Sequence, residues 1–328
     1  MSRRSEVPHP EFSDMPVVAP GARVVVVGGA NTDVVGVSAH SLVACDSNPG
    51  SIRTSAGGVG RNVAENLVRL GVGVELVSAF GDDDAGRALR ASCGVRGIGT
   101  AASVVAADLP GAHYLAVLDE RHDMAVAIND MRVLDRLTPV VLAEPERVAL
   151  LLAADLVVVD ANLPVETLEW LAAAVRAPIV FEPVSAAKTC RAAGILARLA
   201  ALTPNTLEAA ALLGHDVSGI DQAQRAACEL VALGAGSAFV TCGARGVAWA
   251  DENGSGVAEA PVVEVANASG AGDAFCAGVA YALLARGGAR TAAKLGTVLA
   301  GFALADEDTV SGLITYRAIF EAMKESRP

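Results

Sequence analysis

The chain has few aromatic residues, few lysines and no excess of positive charge. Aromatic side chains make up 4% of its 328 residues, and the formal net charge is -12. Nucleic-acid binding depends on lysine and arginine side chains that neutralise phosphates, so this charge balance argues against a nucleic-acid partner. It leaves open a nucleoside or nucleotide that is held in a local pocket.

The sequence also lacks paired cysteines, histidine clusters and long apolar runs. Its six cysteines form no CxxC pair, and the five histidines form no ligand-like cluster with them. This predicts reduced thiols in a cytoplasmic protein and no zinc site. No apolar stretch approaches the ~20 residues that cross a bilayer, so no membrane partner is expected. Residues 1–20 are polar and rich in proline, and they are predicted to form a mobile tail without a signal-peptide core.

The rest of the chain alternates between apolar β-branched runs and helical patterns, many of them rich in alanine. The runs that predict buried parallel strands are residues 23–28, 155–160, 178–183, 201–205 and 237–243. Repeated βαβ units of this kind predict an α/β fold, in which helices cover both faces of a mostly parallel central sheet. Two helices, from residue 270 and from about 290 to 305, are predicted to finish the fold.

Three segments depart from this alternation. The first, at about 34–54, has no helical period and is predicted to be irregular or antiparallel β structure. The second, at about 102–130, contains two alternating runs around a polar turn and predicts a hairpin. These two insertions are expected to pair into one small sheet. Near the C-terminus, residues 246–251 (GVAWAD) and 262–267 (VVEVAN) predict a shorter β pair.

The strongest local motif is NASGAGDAFCAG, in which Gly270, Ala271 and Gly272 precede an apolar helix and Asp273 lies in its first turn. Backbone N–H groups at such a helix start can converge on an anion, and the helix dipole favours negative charge there. A carboxylate beside this anion hole could accept the proton of an attacking hydroxyl during phosphoryl transfer. Gly272 is also a candidate for a backbone conformation that favours glycine. Taken alone, the motif fits an ordinary capping acid on a tightly packed helix equally well.

A second glycine-rich loop, GGVGRN, contains Gly57, Gly58 and Asn62 and also opens a helix. A tight turn that needs glycine angles is the simpler interpretation. A dinucleotide-binding loop is disfavoured, because such a loop would directly follow the first strand and precede an acidic residue by about 20 positions.

Two further motifs carry polar side chains at the ends of predicted strands. Asn31 and Asp33 follow the first strand, where α/β proteins bind ligands, and both side chains suit sugar hydroxyls. A polar turn is the alternative. In PNTLE, Asn205 and Glu208 have the spacing of a helix capping box, which needs no function; a functional interpretation places both near phosphates and magnesium.

In their order along the chain, these four motifs resemble those of the ribokinase (PfkB) family of carbohydrate and nucleoside kinases. The family's GxxxxD element, GG-containing loop, PNxxE element and DTxGAGD signature are matched by ANTD, GGVGRN, PNTLE and NASGAGD. The resemblance covers the chain from about Arg23 to the C-terminal helices. It implies a ribokinase-like three-layer fold over residues 21–328, with a small β-sheet lid from about 34–54 and 102–130. Lid sheets in this family often pair between subunits, which implies a possible homodimer.

The resemblance also implies roles for particular residues. Asp273 would be the catalytic base, and the amides of Gly270 to Gly272 would form its anion hole. The implied cofactors are ATP and Mg²⁺. The residues implied to bind ATP are Asn205, Lys188, Thr241, Gly243 and Gly246, the last three in a loop with the sequence TCGARG. Glu208 is implied to bind hydrated magnesium. A surface role is the alternative for Lys188. The Asp-Thr that precedes GAGD in the family is replaced here by Asn267-Ala268-Ser269, which leaves potassium activation open.

Further segments, CDSNPG, AINDM and EPVSAAK, resemble the pseudouridine kinases of this family. This implies ATP-dependent phosphorylation of the 5′-hydroxyl of pseudouridine. The implied substrate-binding residues are Asn31, Asp33, Asp46, Asn48, Gly57, Gly58, Asn62 and Asn129. Two alternatives remain: a kinase of the family that acts on ribose, fructose or adenosine, and a nucleotide-binding relative without catalytic activity.

Overall fold

The computed structural model describes residues 16–325, so most of the tail that the sequence predicts lies outside the described residues. The strands, in chain order, are β1 (Arg23–Val27), β2 (Asn31–Ser38), β3 (Gly50–Gly57), β4 (Gly73–Val77), β5 (Ala79–Gly81), β6 (Val104–Ala106), β7 (His113–Leu118), β8 (Met124–Asp130), β9 (Leu156–Asp160), β10 (Ile179–Glu182), β11 (Leu199–Leu202), β12 (Ser237–Thr241), β13 (Val247–Asp251) and β14 (Gly254–Ala258).

The α-helices are α1 (Val59–Arg69), α2 (Asp84–Val95), α3 (Pro139–Leu142), α4 (Pro145–Leu152), α5 (Val165–Ala174), α6 (Ala186–Thr189), α7 (Thr206–Leu213), α8 (Ile220–Ala232), α9 (Ala271–Leu284), α10 (Ala289–Leu304) and α11 (Tyr316–Glu325). Within this described part of the chain, no helix has both the length and the apolar character that crossing a bilayer requires.

The central sheet has eight strands in the order β14-β13-β12-β11-β10-β9-β1-β4. All neighbours from β4 to β12 pair in parallel, and β13 runs antiparallel to both strands beside it. Packing on both faces explains the four valines that follow the exposed Arg23 in β1. Val24 and Val26 pack into one core, with α1 and α9, whereas Val25 and Val27 pack into a second core on the other face, with α5 and α8. A strand that is buried on both faces has no position for a polar side chain.

The two insertions that interrupt the βα alternation form one four-stranded sheet, in the order β3-β2-β7-β8. The first insertion supplies the antiparallel pair β2 and β3, and the second supplies the hairpin β7 and β8. The two pairs are joined by parallel pairing of β2 with β7. The predicted pairing of the insertions is therefore confirmed.

The predicted strand at residues 262–267 is wrong, because the partner of β13 is β14, at residues 254–258. The hairpin turn between them is stabilised by the Asn253 N–H, which donates to Asp251 Oδ1 at 2.8 Å. The sequence of β14, GSGVA, has low β propensity. Its Gly256 is needed, since a Cβ there would lie 2.9 Å from the ring of Trp249. Among the strands of residues 16–325, none pairs with the apolar residues after β14, and Val262 is fully exposed. A third helix, α11, also follows the two that were predicted.

Candidate active site

Polar side chains collect at the edge of the central sheet where its parallel strands end. Strands β1, β9, β10, β11 and β12 all point the same way, so their carboxyl ends lie side by side. Asp160 ends β9, Glu182 ends β10 and Thr241 ends β12, while Asn31 follows β1. Ligands of open α/β sheets bind in the crevice at this edge.

Asp273 lies in the first turn of α9, next to the start of α1. The side chain of Asn62 donates from Nδ2 to Asp273 Oδ2 at 2.7 Å. Asp273 is 8% exposed, and burial raises its pKa to about 7 because it removes water from the charged form. The Asn62 hydrogen bond and the charge of Arg61 oppose this rise, whereas the charge of Asp160 adds to it. A carboxyl with such a pKa is suited to exchange a proton near neutral pH.

The glycines before Asp273 have different structural requirements. Gly270 is the N-cap residue of α9 and has a φ of 81°, and a Cβ there would lie 2.2 Å from the carbonyl oxygen of Thr309. The left-handed backbone is therefore at Gly270, and the suggestion that Gly272 needs it is wrong. A Cβ at Gly272 would meet no atom of the described residues within 4 Å. The first N–H groups of a helix lack intrahelical acceptors, so those of Ala271 and Gly272 are available to an anion in this open space.

Asn267, which stands where the resemblance places an Asp, is tied to two neighbouring backbone segments. Its Nδ2 donates to the carbonyl oxygen of Glu307 at 3.0 Å, and its Oδ1 accepts from the N–H of Ser269 at 2.9 Å. The side chain thus links the loop before α9 to the loop after α10.

The predicted sugar-binding residues lie together at the start of the small sheet. Asn31 Nδ2 donates to Asp33 Oδ1 at 2.6 Å, and burial raises the pKa of Asp33, which this hydrogen bond and the charge of Arg61 oppose. A Cβ at Gly57 would lie 2.1 Å from Asp33 Oδ2, so the glycine is what lets that carboxylate fit there. Gly58 has a φ of 100° and packs against the backbone of the loop after β1. The tight turn predicted for GGVGRN is confirmed.

Asp160 is a buried carboxylate that the sequence reasoning missed. Its Oδ2 accepts from the N–H groups of Gly29, at 2.7 Å, and Gly60, at 3.0 Å, while its Oδ1 accepts from Asn162 N at 2.9 Å. Burial raises its pKa, and the hydrogen bonds from Gly29 and Asn162 oppose the rise. Asp160 thus joins the loop after β1 to the first turn of α1, which carries Asn62. The available signal was its place after a buried β-branched run, the rule that identified Asn31 and Asp33.

A second missed carboxylate, Glu182, ends β10. Its Oε2 accepts from Thr203 Oγ1 at 2.5 Å. Burial raises its pKa well above the ordinary range, and the nearby charges of Glu208 and Asp273 raise it further. Glu208 is buried too, and burial raises its pKa. It forms the predicted capping box with Asn205, with bonds of 2.8 and 2.9 Å.

The acidic residues at this edge do not form a direct metal site, so they could hold magnesium only through its bound water. Among residues 16–325, no group of three or more His, Cys, Asp or Glu side chains could hold a metal ion directly. Magnesium usually keeps several waters and is held by one or two carboxylates together with substrate phosphates. Glu182 and Glu208 fit that arrangement, as ligands of the ion's water.

The predicted nucleotide loop lies between β12 and β13. Thr241 pairs with Asn205, and its N–H donates to the carbonyl oxygen of Pro204 at 2.9 Å, which brings the two predicted ATP elements together. Gly243 and Gly246 have φ values of 58° and 89°. A Cβ at Gly246 would lie 2.1 Å from a backbone oxygen, so this turn requires glycine.

Lys188 points toward the strand ends rather than into solvent. Its Nζ donates to Asn162 Oδ1 at 2.6 Å, and desolvation lowers its pKa although the charge of Asp160 opposes this. The segment that leads to it contains Val184 with a φ of 67°. This conformation is unfavourable for a β-branched residue and is often retained at functional sites.

Three residues predicted to recognise the substrate base do not contact the group around Asp273. Asp46 and Asn48 lie in an exposed loop and bond to nearby backbone groups, with Asn48 Oδ1 accepting from Val43 N at 2.8 Å. Asn129 is exposed on β8, where its register neighbour Tyr114 is also the neighbour of Asp33. Register neighbours share a face of a sheet, so Asn129 and Asp33 lie on the same face.

Comparison with known proteins gives consistent matches. The family model described as pfkB family carbohydrate kinase matches residues 22–315. A pseudouridine kinase of Escherichia coli (strain K12) is 37% identical over 259 residues, covering 78% of this chain and 82% of that protein. A guanosine-inosine kinase of Exiguobacterium acetylicum is 28% identical over 297 residues, covering 89% and 97%.

Two solved structures show the same architecture. A carbohydrate kinase from Agrobacterium tumefaciens has a TM-score of 0.83 at 28% identity, covering 94% of this chain and 98% of that one. The Arabidopsis thaliana ribokinase, complexed with ribose and ATP, has a TM-score of 0.81 at 18% identity, covering 92% and 99%. The predicted ribokinase-like α/β fold is confirmed.

Proposed function

This chain belongs to the pfkB family of carbohydrate kinases, and we propose that it transfers the γ-phosphoryl group of ATP to the 5′-hydroxyl of pseudouridine. The observation that carries a kinase reaction is the pair formed by Asn62 and Asp273 beside the open N-terminus of α9. The identity with the Escherichia coli pseudouridine kinase supports the choice of acceptor. A cytoplasmic location fits the substrate ATP and the free thiols of the six cysteines.

Asp273 acts as the general base. Asn62 occupies its Oδ2 atom, which leaves Oδ1 to accept the proton of the 5′-hydroxyl. As the O5′–H bond breaks, the oxygen forms its bond to the γ-phosphorus, and the bond from phosphorus to the β,γ-bridging oxygen of ATP breaks to give ADP. A base whose pKa is about 7 is substantially ionised at neutral pH and still basic enough to take the proton.

The N–H groups of Ala271 and Gly272 stabilise the transferred phosphoryl group. They belong to the first turn of α9, where the dipole favours negative charge, and Gly272 carries no side chain into the space in front of them. Magnesium supplies positive charge to the phosphates when it is bound with ATP. Glu182 and Glu208 would hold its waters, and Lys188 contributes a cation on the same edge.

The ribose is bound by Asn31 and Asp33, and the base by Asn129 with the loop that contains Asp46 and Asn48. Because Asp46 and Asn48 now bond to their own loop, we propose that the small sheet and this loop close over the nucleoside as a lid. Pseudouridine offers one more ring N–H than uridine because its base is attached through carbon. An acceptor that pairs with this N–H would be left buried and unpaired with uridine.

The test is a coupled ADP-release assay with pseudouridine, uridine, ribose, adenosine, guanosine and inosine. An unpaired acceptor costs roughly 1–3 kcal/mol, so kcat/KM for pseudouridine should exceed that for uridine by at least about tenfold. Asn129→Ala should remove most of this preference, whereas Asn253→Ala, at an exposed hairpin turn, should keep it. Equal use of both nucleosides would contradict the choice of pseudouridine, and no ADP with any acceptor would indicate a relative without catalytic activity.

We also propose that the chain forms a homodimer through the small sheet. Ile52, Leu115, Val126 and Ile128 are exposed, and the strand register places all four on the face opposite Asp33. Four large apolar side chains on one open face form a patch that soluble proteins usually cover. A second copy of the same sheet is the partner that the resemblance to this family implies.

A further inference from the structure

An arginine-rich cavity lies beside α1, and none of the residues assigned to catalysis lines it. Its volume is about 390 Å³, and its walls come from α1, the end of α2, β3 and the loop after α10. No residue predicted to bind ATP, magnesium or the acceptor lines it. The charged residues around it are Arg53, Arg61, Arg69, Arg96, Glu65 and Asp308.

The cavity has more positive than negative charge. Glu65 is buried and forms ion pairs with Arg61, with Arg69 at 3.0 Å and with Arg96 at 3.1 Å. One carboxylate cannot neutralise three guanidinium groups. Arg53 is exposed and has no ion-pair partner within residues 16–325. Such a local excess of positive charge is unusual in a chain with a net charge of -12.

One buried donor in the cavity wall lacks an acceptor. Arg61 is 2% exposed, and its Nε has no hydrogen-bond partner among residues 16–325, although its Nη1 donates to the carbonyl oxygen of Ala56 at 3.0 Å. Buried N–H groups of charged side chains are nearly always paired, and a bound water or ion is one way in which such a group finds its partner. The guanidinium fork matches the oxygens of phosphate particularly well.

We propose that this cavity binds a compact multivalent oxyanion, either inorganic phosphate or the phosphate group of a small phosphomonoester. The site is distinct from the anion hole of α9. Arg61 Nη1 donates to Asn62 Oδ1 at 2.7 Å, and Asn62 in turn donates to Asp273, so Asn62 lies between the cavity wall and the base. The volume exceeds what a bare phosphate needs and leaves room for an attached sugar.

Binding is measured by isothermal titration calorimetry of the full chain with inorganic phosphate, at constant ionic strength. The test variant is the double substitution Arg53→Gln and Arg96→Gln, because both side chains are partly exposed and the buried pair of Arg61 and Glu65 stays intact. The control is Arg87→Gln, which removes an exposed arginine on α2 that pairs with Asp82 and Asp84. Thermal unfolding without phosphate checks that each variant is folded.

Saturable binding to the wild type is expected, with a Kd at least tenfold weaker in the double variant and unchanged in Arg87→Gln. No saturable binding, or equal affinity in the double variant, would overturn the proposal. Each titration is repeated in the presence of a saturating non-hydrolysable ATP analogue and Mg²⁺. If the phosphate-binding signal disappears under these conditions, phosphate binds in the catalytic anion hole, and the proposal of a separate site is overturned. Tighter binding of ribose 5-phosphate would identify a phosphomonoester as the ligand, and weaker binding would identify free phosphate. If the ATP analogue itself fails to bind, the kinase assignment fails. The titration without nucleotide still decides whether the arginine-rich cavity binds phosphate.

Discussion

Replacing Asp273 with asparagine should abolish most activity and at the same time stabilise the fold. The substitution keeps the size of the side chain, and the new amide oxygen can still accept from Asn62 Nδ2. It removes the group that takes the hydroxyl proton, so kcat should fall by roughly 10²–10⁴, the usual contribution of a general base. ATP binding should persist, because no phosphate contact is assigned to this side chain.

The stabilisation follows from the difference in pKa between the folded and unfolded chain. The carboxyl has an ordinary pKa of 3.8 when unfolded and a pKa of about 7 when buried. Between these values the folded state holds a proton that the unfolded state has lost, so wild-type stability falls as pH rises from about 4 to about 7. At 1.36 kcal/mol per pH unit, the full cost of ionising this buried group is roughly 4 kcal/mol.

The assay compares urea unfolding of the wild type and Asp273→Asn at pH 5 and pH 8. The stability advantage of the variant should be roughly 2–3 kcal/mol larger at pH 8, because most of the ionisation of the folded carboxyl occurs between these values. For wild-type turnover, log kcat/KM should rise with pH and level off above about pH 7. In Asp273→Asn the rise of log kcat/KM with pH should be absent, because the residual rate of this variant no longer depends on a base.

Asp221→Asn is the matched control, since Asp221 also lies in the first turn of a helix but is exposed. It should leave kcat unchanged and should not reproduce the stabilisation expected of Asp273→Asn. Near-normal turnover of Asp273→Asn would refute the assignment of the base. A stability difference that is the same at pH 5 and pH 8 would refute the reasoning from burial.

Three further predictions test the anion hole, the lysine and the subunit contact. Gly272→Val should keep the fold, because the surroundings of Gly272 are open. It should lower kcat in the ADP-release assay by at least about tenfold, because the new side chain fills the space for the phosphate. Gly94 is an equally open helical glycine, and Gly94→Val should leave kcat unchanged. Lys188→Met should raise KM for ATP about tenfold, whereas Lys294→Met should not. If the wild type and Lys188→Met have equal KM values for ATP, the role of Lys188 is structural. Ile128→Asp should convert a dimer into a monomer in light scattering, and a monomeric wild type would exclude the proposed contact.

The sequence by itself predicted those features that depend on neighbouring residues. The valines of β1 indicate a strand buried on both faces, because only such a strand carries apolar side chains at successive positions. The capping box of Asn205 and Glu208 and the glycine turn at Gly58 likewise depend on a few adjacent positions. The order of these short motifs was sufficient to indicate the family.

The local sequence pattern predicted the wrong segment where the position of a strand depended on its pairing partner. The alternation at residues 262–267 resembles a strand more than the GSGVA sequence of β14 does. Strand β14 nevertheless forms, because it follows β13 after a short turn and pairs with it along its whole length. Pairing with a neighbour can outweigh β propensity, which is weak and depends on context.

Only the tertiary structure decided which polar groups meet and how their protons are held. Asn62 and Asp273 are 211 residues apart in sequence, and Asp160 lies 100 residues from the Gly60 N–H that it accepts from. No periodicity links positions so distant, since they meet only when parallel strands place their carboxyl ends at one edge. The raised pKa of Asp273 has the same origin, because the packing of α1 and α9 removes water from its carboxyl group and a sequence does not specify which groups lose their water.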